Sequence, residues 1–110
     1  MYARVWRANI LPGKVEEFAA AMNSIRPVLH HLPGFCGLIV LRSGPGEALE
    51  TTVVSAWASI EDLRNSETPA FQKAAASVLA YCERHPAMRE EEVLVSDFSA
   101  SNLDDTVTRF

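Results

Sequence analysis

The chain is poor in the residues that usually announce a reaction. It has two cysteines and three histidines in 110 residues, and none of them stands in ligand or nucleophile spacing. Cys36 and Cys82 form no CxxC pair and have no paired histidines beside them, so they are read as small buried hydrophobes kept reduced rather than as a zinc site or a redox pair. His30 and His31 are adjacent, so on a helix their side chains diverge by about 100° and cannot chelate one metal. A helix C-terminus, where partial positive charge is favourable, explains them better. His85 precedes a proline at another expected helix end. HExxH and GxSxG are absent, and the one Gly-xx-Gly step, Gly34 to Gly37, lies in a strand pattern with no helix after it. Metal-dependent, serine-hydrolase and nucleotide-binding chemistry are thereby excluded.

Positive charge is also scarce. The net charge is −4 and the basic residues are dispersed, which leaves no electrostatic footprint for nucleic acid. Long apolar runs are missing too: Leu38 to Leu41 is far too short to cross a bilayer. The sequence opens on a strand pattern without an apolar leader, so the expected location is the cytoplasm and no membrane partner is expected. With 48% hydrophobic and 22% charged residues the composition is that of one ordinary domain, able to bury roughly 65% of its unfolded surface. Repeats, linkers and low-complexity blocks are absent. Residues 1–98 are read as the domain and 99–110 as a polar tail.

What is present is a run of well-punctuated elements. Tyr2 to Leu11 alternates apolar and polar residues until Pro12-Gly13 stops it, the pattern of a strand. From Lys14, the apolar residues Val15, Phe18, Ala19, Met22, Ile25 and Leu29 recur at spacings of three and four, predicting a helix to about His31. Pro27 removes a backbone donor inside it, which predicts a kink or an early end near Ser24 to Arg26. Phe35–Arg42 and Leu49–Trp57 read as strands separated by the Ser43–Glu47 turn cluster. Ser59 with Asp62 three residues later caps a short helix, and Thr68-Pro69 caps a third that runs toward His85-Pro86. Glu91 to Phe98 is the last expected strand.

The order β-α-β-β-α-α-β predicts an α+β ferredoxin-like split βαβ fold. Right-handed crossovers place the helices on one face of a four-stranded antiparallel sheet, with the third strand between the first and second. The second strand is apolar on both sides, with Phe35, Ile39 and Leu41 assigned to one and Cys36, Leu38 and Val40 to the other. Its uncovered face needs a partner, and an identical sheet from a second copy, giving a two-fold homodimer, is the simplest cover.

Several phrases now carry a family resemblance: Leu11-Pro12-Gly13-Lys14 with Glu17-Phe18, Leu32-Pro33-Gly34-Phe35 with Gly37 and Leu41-Arg42-Ser43, and Ala56-Trp57-Ala58-Ser59 leading to Leu63 and Thr68-Pro69-Ala70-Phe71. In order and spacing they resemble the antibiotic-biosynthesis monooxygenase family over about residues 2–98. The resemblance implies a dimeric α+β barrel with a pocket between helices and sheet. It also implies a choice among cofactor-free oxygenases of aromatic polyketides, quinol monooxygenases, heme-degrading enzymes and members without a reaction. The positions that match the heme-degrading motif hold Trp6, about Ser66, and Ala75 or Ala76. None supplies an iron ligand, so heme degradation ranks third. The positions where quinol-type relatives carry histidines hold Asn65 and Ala70.

A cofactor-free oxygenase needs a dry cavity, a base or cation favouring a phenolate, and groups that orient the ring. In the family register Arg4 and Trp6 point toward the helices, and they are the candidates for holding an anion and stacking on an aromatic. Asn65 is the candidate hydrogen-bond donor to a carbonyl, and Phe71 and Tyr81 are the candidate walls. Each also has a plain structural use: Arg4 as a snorkelling or paired cation, Trp6 and Phe71 as core, Asn65 as a helix-end residue, Tyr81 as a half-exposed helix-terminal residue. Trp57 is expected in the core whatever the activity. The expected function is a cofactor-independent monooxygenase of a small phenolic, quinol or polyketide-like compound, using no cofactor. The alternative is a non-catalytic dimeric binding or stress-response domain on the same scaffold.

Overall fold

The computed structural model describes residues 1–43 and 49–97. Seven elements follow one another: β1 (Tyr2–Asn9), α1 (Val15–His30), β2 (Phe35–Arg42), β3 (Glu50–Trp57), α2 (Ile60–Asn65), α3 (Pro69–Leu79) and β4 (Ala87–Glu92). The sheet is antiparallel with the order β2-β3-β1-β4, so the third strand does lie between the first and second. This is the α+β ferredoxin-like fold, with the helices on one face. Among the described residues no helix is long and apolar enough to cross a membrane. The expected polar tail 99–110 lies outside the described residues.

Local chemistry sets most boundaries. Gly13 and Gly34, both at positive φ (76° and 77°), turn the chain into α1 and into β2. The Ser59 hydroxyl accepts from the Asp62 amide at 3.0 Å and that of Thr68 from the Phe71 amide at 3.2 Å, starting α2 and α3 as the sequence predicts. The helix-facing core divides into two clusters. Ile10, Phe18, Met22, Val53 and Val78 form one, and Leu29, Trp57 and Leu63 the other. Trp57 is fully buried.

Four expectations about the elements need correction, besides that for Cys36, which is exposed rather than buried. Helix α1 does not end near Ser24 to Arg26 but runs through Pro27 to His30, because Phe18, Met22 and Leu29 on its inner face are all buried. Burial of that stripe outweighs one missing backbone bond. Helix α3 stops at Leu79 rather than near His85: the Leu11 amide bonds to the Tyr81 carbonyl (2.8 Å) and the Glu83 amide to that of Asn9 (2.9 Å), which draws the chain onto the end of β1. The last strand is Ala87–Glu92 and not Glu91 to Phe98. It is a charged edge strand in which Arg7 pairs with Ala87 and Tyr2 with Glu92, whereas Leu94 and Val95 beyond it are exposed.

The fourth correction concerns the faces of β2. A bulge between Phe35 and Gly37 makes two residues oppose one on β3, so the alternation changes phase. Phe35 therefore shares the helix-facing side with Leu38 and Val40, each packed on the core clusters. Ile39 and Leu41 occupy the other side. There, Ile39 is level with Val54, Val54 with Val5, and Val5 with Arg89, forming an apolar row that ends in a charge.

Candidate functional site

Alternation on β1 sends Arg4 and Trp6 toward the helices, where their surroundings differ. Arg4 is 7% exposed, a rare depth for a guanidinium. Its Nη2 donates to the Leu63 carbonyl (2.9 Å) and to Ser66 Oγ (3.0 Å), and lies 3.8 Å from Glu67 Oε1. The cation sits 5.2 Å from the centre of the Phe71 ring and 5.9 Å from that of Trp57. Nη1 is buried with no hydrogen-bond partner. Burial pulls the guanidinium below its ordinary pKa, with Glu67 and then Glu90 acting the other way. A guanidinium still keeps its charge. The α2–α3 corner thus holds a nearly dry cation clamped between two rings.

Beside that corner lies a cavity of about 340 Å³ between α1, α3 and the sheet. Its apolar body is made by Trp6, Leu38 and Val53 of the sheet, by Met22 and Leu29 of α1, and by Phe71 of α3. Four polar residues reach it: Ser55, Glu67, Gln72 and His85. Ser55 is already engaged, since its Oγ accepts from Trp57 Nε1 at 3.0 Å. A small polar annex of about 140 Å³ shares Glu67 and Met88 with this cavity and adds Arg4, Arg64 and Glu90. Arg64 Nη2 donates to Glu90 Oε1 at 3.1 Å. That bond holds the Glu90 carboxyl below the usual range and raises the guanidinium of Arg64.

A larger space of about 740 Å³ opens on the other side of Met22 and Leu38, under the N-terminal half of α1. Its polar residues are Glu16, Asn23 and Arg26 of α1, Arg42 at the end of β2 and the buried Thr51 of β3. The smaller cavity is the better candidate site. Aromatic walls, a buried cation behind them and ionisable groups at the mouth converge there.

Of the residues singled out in the sequence, Trp6 and Phe71 line the cavity and Arg4 stands behind Phe71. Asn65 is exposed at the end of α2 and Tyr81 packs against the Phe18 core, and neither lines this space. Sequence reasoning missed Glu67, Gln72 and His85. Glu67 lies just before the Thr68 cap and His85 in the α3–β4 connection, so no periodicity marks them. Only the tertiary fold joins the two connections. Among the described residues no group of three or more His, Cys, Asp or Glu side chains is placed to hold a metal ion.

Comparison with known proteins gives a consistent picture. The family model described as antibiotic biosynthesis monooxygenase matches residues 1–77. No curated protein matches the chain. Among solved structures, an antibiotic biosynthesis monooxygenase-type protein from Bordetella bronchiseptica superposes with a TM-score of 0.75 at 18% identity, covering 86% of this chain and 97% of its own. SnoaB, a cofactor-independent oxygenase from Streptomyces nogalater, gives 0.73 at 16% identity, covering 86% and 94%. A further protein of the same type, from Caulobacter crescentus, gives 0.72 at 21% identity, covering 86% and 90%. At these identities the likeness is one of fold.

Proposed function

The chain belongs to the antibiotic biosynthesis monooxygenase family, and from that premise we propose that it oxygenates a small phenolic, quinol or polyketide-like aromatic in the cavity between helices and sheet, without a cofactor. The observation that carries this reading is the pairing of an apolar slot walled by Trp6 and Phe71 with the buried Arg4 guanidinium against the back of Phe71. Triplet dioxygen reacts poorly with closed-shell molecules until a phenolate or carbanion can donate an electron. A cation in a dry, low-dielectric setting favours that anion, and an apolar slot holds the ring while excluding water. For an anthrone-type substrate the balance is simple. Dioxygen takes the two hydrogens of the ring methylene, one oxygen atom becomes the new carbonyl and the other leaves as water.

The same scaffold in SnoaB, described as a cofactor-independent oxygenase, supports the class of reaction. Oxygen-electrode measurements on the purified, cofactor-free protein with a panel of quinols and anthrones test it. Uptake above the protein-free rate is expected with at least one member. Saturable binding without any uptake would instead support the non-catalytic binding domain, a reading favoured by the predominantly apolar lining.

We further infer that a second copy covers the open sheet face, giving a homodimer. The row Ile39, Val54, Val5 and the neighbouring Leu41, which is 51% exposed, are the support. Val54→Glu places a charge in the middle of that row while leaving the helix-facing core untouched. Sedimentation is expected to show a dimer for the wild type and a folded monomer for the variant, and a wild-type monomer would overturn the inference.

A further inference from the structure

We propose that His85 is the proton acceptor of this cavity, taking the substrate's phenolic proton through Nε2. The proposal rests on the oxygenase reading above and adds to it the group that generates the anion. Two connections bring ionisable side chains to the mouth: the α2–α3 link supplies Glu67 and the α3–β4 link supplies His85. The contributions of α1, of α3 itself and of the sheet to the lining carry no titratable group. The choice is therefore between these two.

Three observations favour His85. Glu67 faces a cation, with Oε1 3.8 Å from Arg4 Nη2, an arrangement that turns its carboxylate toward the annex. A phenol ordinarily ionises near 10, and as a side-chain type an imidazole, near 6.5, is a stronger base than a carboxylate, near 4.3, so a histidine is the better matched acceptor. The third observation concerns the tautomer. His85 Nδ1 lies 3.3 Å from the Pro86 carbonyl oxygen, which can only accept, and the tautomer that makes this bond carries its hydrogen on Nδ1 and leaves the lone pair on Nε2. The buried Pro86 anchors that carbonyl, while the exposed imidazole keeps contact with solvent.

The step balances without a further reagent. The phenolic O–H bond breaks, its electron pair stays on oxygen, and the proton forms a new N–H bond at Nε2. The imidazolium then returns the proton to water at the mouth. The phenolate stays in the slot in the field of Arg4.

A probe that absorbs differently as phenol and phenolate but does not react with oxygen separates this step from turnover, and 4-nitrophenol serves. Its ionisation midpoint when bound is measured by absorbance for the wild type, His85→Asn and Glu67→Gln, with circular dichroism confirming that each variant is folded. A bound midpoint about one pH unit lower in the wild type than in His85→Asn is expected, the lower end of the range for a newly formed opposite charge nearby. An unchanged midpoint in His85→Asn, or a shift lost in Glu67→Gln and kept in His85→Asn, overturns the assignment while leaving the oxygenase reading intact. Failure of the wild type to bind the probe would overturn both.

Discussion

Replacing Arg4 distinguishes a cation kept for chemistry from one that holds the core together. Arg4→Met keeps a side chain of similar reach between Phe71 and Trp57 but removes the charge. Two hydrogen bonds disappear, those to the Leu63 carbonyl and Ser66 Oγ. Neither acceptor is stranded, because the Ser66 hydroxyl itself donates to the Leu63 carbonyl. In return the protein no longer buries a guanidinium with an unpartnered Nη1. Exchanging a buried charged group for a well-packed apolar one is often neutral or stabilising, so Arg4→Met is expected to change stability by no more than about 1 kcal/mol, or about 6 °C in Tm. Arg4→Ala instead empties the space between the two rings and should cost about 3 kcal/mol. Urea unfolding at fixed protein concentration reads both. The functional expectation for Arg4→Met is the opposite of its mild stability effect: binding of a phenolate probe weakens about tenfold, corresponding to one pKa unit of lost charge partnership. If Arg4→Met is as destabilising as Arg4→Ala, the guanidinium is a structural strut and the reasoning fails.

The two turn glycines should respond unequally to alanine. Gly13→Ala meets open space and pays only for positive φ, about 1 kcal/mol, whereas at Gly34 the added Cβ falls on the Asp62 side chain and the cost should reach about 3 kcal/mol by chemical denaturation. Pro27→Ala restores an amide opposite the Asn23 carbonyl and should raise stability by about 1–3 kcal/mol in thermal melts, a fall contradicting the account of α1. Glu90 is held below its ordinary pKa by Arg64, so its contribution is complete above the usual carboxylate range and is lost as pH falls through the lowered value. Glu90→Gln should therefore narrow the difference in urea midpoint between pH 7 and pH 3, slightly, because the pair is exposed.

Features written in local sequence were legible. Strand β2 has the predicted limits and starts from the turn at Gly34, and Ser59 and Thr68 cap α2 and α3 as the sequence implies. What was hidden depends on three dimensions. Strand β4 is charged because it is an edge, so its sequence lacks strand character, and its pairing with β1 defines it instead. The bulge before Gly37 moves Phe35 to the helix-facing side without any change of composition. In the site, Trp6 and Phe71 declared themselves by type and register. Glu67 and His85 come from connections that approach each other only after folding, and a lone histidine before a proline offers no pattern to read.

The central claim is that the slot between Trp6 and Phe71 receives a planar phenolic ring. A crystal structure of the protein soaked with a dihydroxyanthraquinone, which no longer takes up oxygen at its ring carbons, tests it most directly. The account predicts the ring between Trp6 and Phe71 with an oxygen directed at His85 or the Arg4 annex. Density confined to the larger space beneath the N-terminal half of α1, with this slot filled by its own side chains, would contradict it.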